Sequence, residues 1–137
     1  MSQSGMTVNG GAQAAFDVLP GGVLAVKFSG VFTAQKLRSV KAEICNEAGR
    51  VRLVVADYRS AVLTLTDSDY SAMMAGDDVA VLPGVPAAVV APLATAATLR
   101  RYAVEAAYRG KLRRIFLDPE QALQWAQGLA RGQCFPQ

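Results

Sequence analysis

The stretch Val51-Arg-Leu-Val-Val-Ala-Asp-Tyr-Arg-Ser-Ala-Val-Leu-Thr-Leu-Thr-Asp-Ser68 begins apolar, turns polar at Asp57 and closes on residues that start helices. From Val51 to Ala56 the only charge is Arg52. Such near-continuous apolarity predicts a strand buried on both faces, the habit of a parallel sheet. Thr66 and Asp67 favour the start of a helix. Asp69, three residues beyond Thr66, fits a capping box with a shortened acid and suits the positive end of the helix dipole. Ligands and partners of mostly parallel sheets meet the chain at the carboxyl ends of strands, so function is expected at this junction.

Working towards the N-terminus, Thr33 caps a helix running to about Ala48. Leu37, Val40, Ile44 and Ala48 form its apolar stripe, and Gly49 ends it. Before it, Val23 to Phe28 alternates as a half-buried strand, with Leu24, Val26 and Phe28 on one face. Pro20-Gly21-Gly22 predicts a tight reversal joining it to a strand over Ala14–Leu19, which makes an N-terminal hairpin. Residues 1–13 are polar and glycine-rich and read as a flexible tail.

Towards the C-terminus, the helix begun at Thr66 carries Tyr70, Met73 and Met74 inward and ends at Gly76 or near Leu82. Val85 to Ala91 is uniformly apolar and reads as a central strand. Thr95 to Arg109 is a helix with Leu99, Tyr102, Ala103 and Ala106 on one face, stopped by Gly110. Arg113 to Leu117 is the last strand. Asp118-Pro119-Glu120-Gln121 is a strong helix start: aspartate caps, and proline sits where its missing N–H costs nothing. The final helix carries Leu123, Ala126 and Leu129, and residues 131–137 form a tail. The expected order is β-β-α-β-α-β-α-β-α, an α/β fold with a mostly parallel sheet under helical cover, in one domain spanning 14–130.

Composition narrows the function classes. The 137 residues include two cysteines and no histidine. Cys45 and Cys134 lack metal-ligand spacing, so a zinc site and histidine-based catalysis are not expected, and no cofactor or catalytic residue set is visible. The N-terminal segment has neither a basic start nor an apolar middle, and no apolar run approaches the roughly 20 residues needed to cross a bilayer. A cytoplasmic, non-enzymatic protein is the expectation. The net charge of +3 is too small to announce a nucleic-acid binder.

Phe28-Ser-Gly-Val-Phe-Thr33, Val51 to Asp57, Ala87-Ala-Val-Val-Ala-Pro92, Tyr102 to Gly110 and Arg114-Ile-Phe-Leu-Asp-Pro-Glu-Gln-Ala-Leu-Gln-Trp125 follow one another in an order that resembles the STAS domain. More closely, it resembles the bacterial SpoIIAA-like, STAS/Sec14-type single-domain proteins. The last stretch is the most specific: a strand ending Phe-x-Asp, then a capped helix with Ala-x-x-Trp. The resemblance covers about residues 14–130 and implies a binding or regulatory module.

In antagonist members of that family, a serine at the start of the second helix is phosphorylated by a partner kinase. The motif there reads roughly Asp-Leu-Ser-x-x-Asp-Ser-Ser-Gly. Asp57 fits its first acid, and Asp67-Ser68 can be laid on its Asp-Ser pair. Several residues are inserted between them, the second serine is Asp69, and the glycine is Tyr70.

The candidate binding surface is therefore Asp57, Arg59, Ser60, Thr66, Asp67 and Ser68, with Ser68 as candidate phospho-acceptor. Helix capping alone explains Thr66, Asp67 and Ser68 more simply. A second candidate is the basic cluster Arg100, Arg101, Arg109, Lys111, Arg113 and Arg114, opposed within that stretch only by Glu105. It reads as a solvated face or, more sharply, as an anion-binding cluster. Tyr70, Met73, Met74, Tyr102, Phe116 and Trp125 have the spacing of a core and could also line an apolar pocket. The expected partner is a protein. A small hydrophobic, lipid-like or anionic ligand is the alternative, nucleic acid is not expected, and a homodimer is compatible with the chain.

Overall fold

The computed structural model describes residues 3–48, 51–75 and 85–132. Among them, six strands form one sheet and four helices cover it. The chain opens on β1 (Gln3–Asn9), which pairs antiparallel with β2 (Ala12–Leu19) from Gln3↔Val18 to Asn9↔Ala12. The expectation of a flexible tail over residues 1–13 is corrected here: residues 3–13 are β1, its turn and the start of β2, part of the first hairpin. Its two-residue loop is Gly10-Gly11, with φ of +54° and +87°. Positive φ at both central residues is what a type I′ hairpin turn demands, and only glycine adopts it without strain. The element order thus gains a strand at its start.

Pro20-Gly21-Gly22 reverses the chain into β3 (Val23–Thr33), which pairs antiparallel with β2. Helix α1 (Ala34–Ala48) follows, its start capped by Thr33, whose Oγ1 accepts from the Lys36 N–H at 3.2 Å. Strand β4 (Leu53–Thr64) lies parallel to β3 and is twice the expected length. The strand expected to end at Ala56 runs on to Thr64. Helix α2 (Asp67–Ala75), β5 (Ala87–Val90), α3 (Leu93–Tyr108), β6 (Arg113–Phe116) and α4 (Pro119–Ala130) complete the order. The sheet runs β1-β2-β3-β4-β5-β6, antiparallel through β3 and parallel from β3 onward. The end of α2 near Gly76 or Leu82, Gly49 and Cys134 lie outside the described residues.

One irregularity shapes the sheet. Lys27 pairs with Asp57 and Ser29 with Ser60, so β4 spends three residues where β3 spends two. This bulge reverses the alternation of β4. Before it, Val54, Ala56 and Tyr58 face the larger core; after it, Ala61 and Leu63 do.

That larger core lies under α1, α2 and α3. It joins Phe16, Leu24, Val26 and Phe28 of the sheet to Leu37, Val40 and Ile44 of α1, Met73 and Met74 of α2, and Leu99 and Tyr102 of α3. Phe28 stacks on Tyr58 with ring centroids 4.5 Å apart and meets Phe32 edge-on at 5.4 Å. Each such side chain, fully buried, contributes about 1.5–3 kcal/mol. Among the described residues, the opposite face is covered by α4 alone, through Ala122, Ala126 and Leu129 on Val23, Leu53, Val55, Ala88 and Val90. Phe116 and Trp125 pack there, their rings 5.9 Å apart. The six candidate pocket-lining side chains are therefore divided between two cores on opposite sides of the sheet.

Candidate functional site

Among the described residues, α4 is one helix on a six-stranded face, and these residues leave that face half open. The cap that starts it is Asp118, whose Oδ1 accepts from the Glu120 N–H at 3.1 Å, with Pro119 in the first turn. Between this first turn and the exposed strands lies a cavity of about 300 Å³. Pro119 and Leu123 form one wall. Ala15 and Asp17 of β2, Ala25 and Lys27 of β3, and Val55 and Asp57 of β4 form the floor. Register explains the juxtaposition: Ala15 pairs with Lys27 and Lys27 with Asp57, while Asp17 pairs with Ala25 and Ala25 with Val55. One cation thus stands between an acid on its own row and an acid on the next.

Asp57 sits at the bulge, and Arg59 closes on it from two residues along. The Arg59 Nε–H donates to both carboxylate oxygens, at 3.0 and 3.2 Å, Nη2 donates to Oδ2 at 2.9 Å, and the Arg59 backbone N–H donates to Oδ1 at 3.0 Å. The hydrogen bond to Asp57, then its charge, raises the Arg59 pKa further above the ordinary arginine value, with Asp118 adding to it. A charge-assisted fork of this kind orients as well as neutralises. It gives a nearly buried carboxylate a charged partner inside a sheet, and it holds Arg59 against a residue of the cavity floor. Ser60, exposed, follows on the same strand.

The other half of the sequence-derived surface lies elsewhere. Thr66 and Asp69 cap α2 reciprocally: the Thr66 N–H donates to Asp69 Oδ2 at 3.0 Å, and the Asp69 N–H to Thr66 Oγ1 at 3.1 Å. Asp67 turns to α3, where the Tyr102 hydroxyl donates to its Oδ1 at 2.7 Å and accepts from Arg101 Nη2 at 2.9 Å. Tyr70 stacks on Tyr102 at 5.7 Å, and desolvation, followed by the neighbouring Tyr102, raises the pKa of its phenol. Ser71 donates to Glu105 at 3.0 Å, and Glu105 also accepts from Arg109 at 3.5 Å. Ser68 is exposed and takes no part in this seam. Thr66, Asp67 and Ser68 thus belong to the α2–α3 seam, and Asp57, Arg59 and Ser60 to the open sheet. The second half of β4, past the expected strand end at Ala56, separates them.

The basic cluster is dispersed in the same way. Arg101 serves the seam, 3.8 Å from Asp67, and Arg109 pairs with Glu105. Arg113 is buried, its Nη1 donating to the carbonyls of Val85 at 2.7 Å and Leu112 at 3.0 Å, and burial lowers its pKa. Arg114 lies over the Phe116 ring at 5.7 Å. Arg100, Arg113 and Arg114 share one groove; Arg101 and Arg109 do not line it.

No protein-family model matches the chain, and no curated protein does. A solved structure is similar to it in fold. That structure is an uncharacterised protein of the DUF3478 family with a SpoIIAA-like fold, from Shewanella loihica PV-4. The two are 15% identical, with a TM-score of 0.47, over 91% of this chain and 93% of the other.

Asp17, Lys27, Pro119 and Leu123 were not named as site residues from sequence. Lys27 and Asp17 did carry a signal, as lone charges within otherwise apolar strands, but only the position of α4 brings them beside Asp57. Among the described residues, no three acids or cysteines gather as a metal-holding group, and no helix is long and apolar enough to cross a membrane.

Proposed function

We propose that the chain is a non-enzymatic, cytoplasmic interaction module of the SpoIIAA-like type that binds a protein partner on the open half of its sheet. The observation that carries this reading is the exposure of large apolar side chains turned away from the three-helix core. Met6 and Val8 on β1 are 60% and 59% exposed, and Val31 and Val62, paired in register, are 50% and 60% exposed. Scattered single apolar residues are normal on a surface, whereas apolar residues on one sheet face, rimmed by charges, mark interaction sites. Here the rim is supplied by Asp17, Lys27 and Arg59. Acids and bases at fixed register give such a surface orientation and partner choice more than raw affinity.

The test compares three proteins as baits in lysate of the source cells: the wild type, Val62→Asp, and Tyr108→Asp. Tyr108 is 89% exposed on α3, remote from the open sheet. A partner captured by the wild type and Tyr108→Asp and lost with Val62→Asp is the expected result. Identical capture by all three proteins overturns the reading.

The cavity beside α4 favours a second reading, a carrier of a small hydrophobic or lipid-like ligand. Its apolar lining supports this, and its volume falls at the lower end of the roughly 300–1,000 Å³ typical of ligand pockets. Native mass spectrometry of freshly purified protein distinguishes the two, because a carrier retains a bound mass that Leu123→Arg abolishes.

A further inference from the structure

At the far side of the sheet from the open face of β1–β3, α3 and the edge of β6 enclose a groove of about 410 Å³. One helical stripe, Arg100, Ala103, Val104 and Ala107, forms its wall, and residues 113–115 of β6 form its floor. The Leu112 and Phe116 carbonyls accept from the Ala87 and Ala91 N–H groups, at 3.0 and 3.1 Å. Strand alternation therefore turns the backbone N–H and C=O of Arg113 and Ile115 outward. β6 is the terminal strand of the sheet, so these groups face no further strand among the described residues. Outward-facing strand groups of this kind are a template for one more strand.

The chemistry of the groove is one-sided. Three of its seven lining residues are arginines and none is an acid. Arg113 is only 9% exposed, donates to carbonyls, and meets no carboxylate among the described residues. Ala103 and Ala107 leave room beside the helix, and Val104, 60% exposed, offers an apolar contact.

The geometry points to a docking site for an extended acidic peptide, added to the sheet as a strand beyond β6. Its backbone bonds to Arg113 and Ile115. Its side chains alternate between the α3 side, where Arg100 and Val104 stand, and the α4 side, where Arg114 lies over Phe116. A bare anion would answer the arginines and leave the strand edge unused. This site lies apart from the surface assigned to the protein partner and does not depend on that assignment.

The experiment selects a randomised, phage-displayed peptide library against the full chain and then measures the enriched peptides in solution. The expected winners alternate acidic and apolar residues. Arg100→Glu and Arg114→Glu, both at exposed positions, each weaken binding by about tenfold or more, as loss and reversal of a charge-assisted contact would. Hydrogen exchange at the Arg113 and Ile115 amides slows on peptide binding. Circular dichroism of the two variants matches the wild type, so a loss of binding is not a loss of fold. Winners without acids, affinity unmoved by both reversals, protection on other strands, or no enrichment would each overturn the proposal. So would binding of inorganic phosphate or phosphatidylserine vesicles through Arg100 with no acidic peptide selected, since the groove would then be an anion or membrane site.

Discussion

The Tyr102 hydroxyl reaches Asp67 across 2.7 Å and ties the middle of α3 to the first turn of α2. The bond explains why Asp67, assigned from sequence to a candidate binding surface at a helix start, is instead a strut. Asp67 is largely solvent-exposed and Tyr102 largely buried, so the pair sits at a helix seam where water competes for only one partner. Tyr102→Phe keeps the stack on Tyr70 and removes only the hydroxyl. It is expected to cost about 0.5–1.5 kcal/mol, measured by urea unfolding.

The reciprocal bonds of Thr66 and Asp69 separate capping from signalling at the start of α2. Thr66→Ala is expected to cost about 1 kcal/mol in the same assay. Ser68→Ala is expected to stay within about 0.5 kcal/mol of the wild type, as surface substitutions do. A change in partner capture by Ser68→Ala or Ser68→Glu at unchanged stability would then report on binding itself. If phosphopeptide mapping in the source cells finds residues 60–71 always unmodified, Ser68 is not a phospho-acceptor.

Burial raises the Tyr58 phenol well above its ordinary pKa near 10, through desolvation. The folded state then keeps a proton that the unfolded state has lost, so stability is full below pH 10 and falls as the pH rises above it. For one proton the slope is about 1.4 kcal/mol per pH unit. Tyr58→Phe keeps the ring against Phe28 and is expected to flatten this alkaline decline. Thermal unfolding between pH 9 and pH 11 (about one unit either side of the ordinary phenol value) measures the difference.

Thr7 Oγ1 is buried and has no hydrogen-bond partner among the described residues. Thr7→Val replaces an unsatisfied hydroxyl with a methyl group of the same shape. It is expected to stabilise the protein by about 1 kcal/mol, since leaving a buried polar atom unpaired carries a penalty of about 1–3 kcal/mol.

Gly30 sits in β3 at φ of +93°, and a Cβ there would collide with the Gly11 carbonyl. Gly30→Ala is expected to destabilise by more than about 2 kcal/mol, through backbone strain together with displacement of the first hairpin turn. A lowered midpoint in urea, with weakened amide protection across β1, is the measurable outcome.

The parts legible in the sequence were those whose signal is local. Thr66 with Asp69, and Asp118 with Pro119, announce helix starts through residues that satisfy their own neighbours. Leu37, Val40 and Ile44 announce a buried helical face by spacing alone. The first strand escaped because Gln3 to Asn9 is an edge strand of polar and small residues with only Met6 and Val8 as apolar members, although Asn9-Gly10-Gly11 was a turn signal in plain view. The length of β4 escaped for a different reason. Asp57-Tyr-Arg-Ser looks like a turn until Arg59 neutralises Asp57 within the strand, after which the alternation resumes out of phase. The cavity with Lys27 and Asp17 depends on where α4 lies across four strands, β3 to β6, and no spacing along the chain encodes that.

The bulge between Asp57 and Ser60 has a consequence for how this protein tolerates change in length. It works as a phase shift: one added residue hands the inward-facing duty of β4 from even-numbered positions to odd ones. Deleting a single residue among 58–60 would cancel that shift. Ser60 or its replacement would stay opposite Ser29, and Ala61 and Leu63 would keep facing inward, because β4 would then spend two residues where β3 spends two. The bulge is therefore where β4 can lose a residue without exchanging its two faces, whereas a deletion among 61–63 would turn the side chains that follow from wall to window.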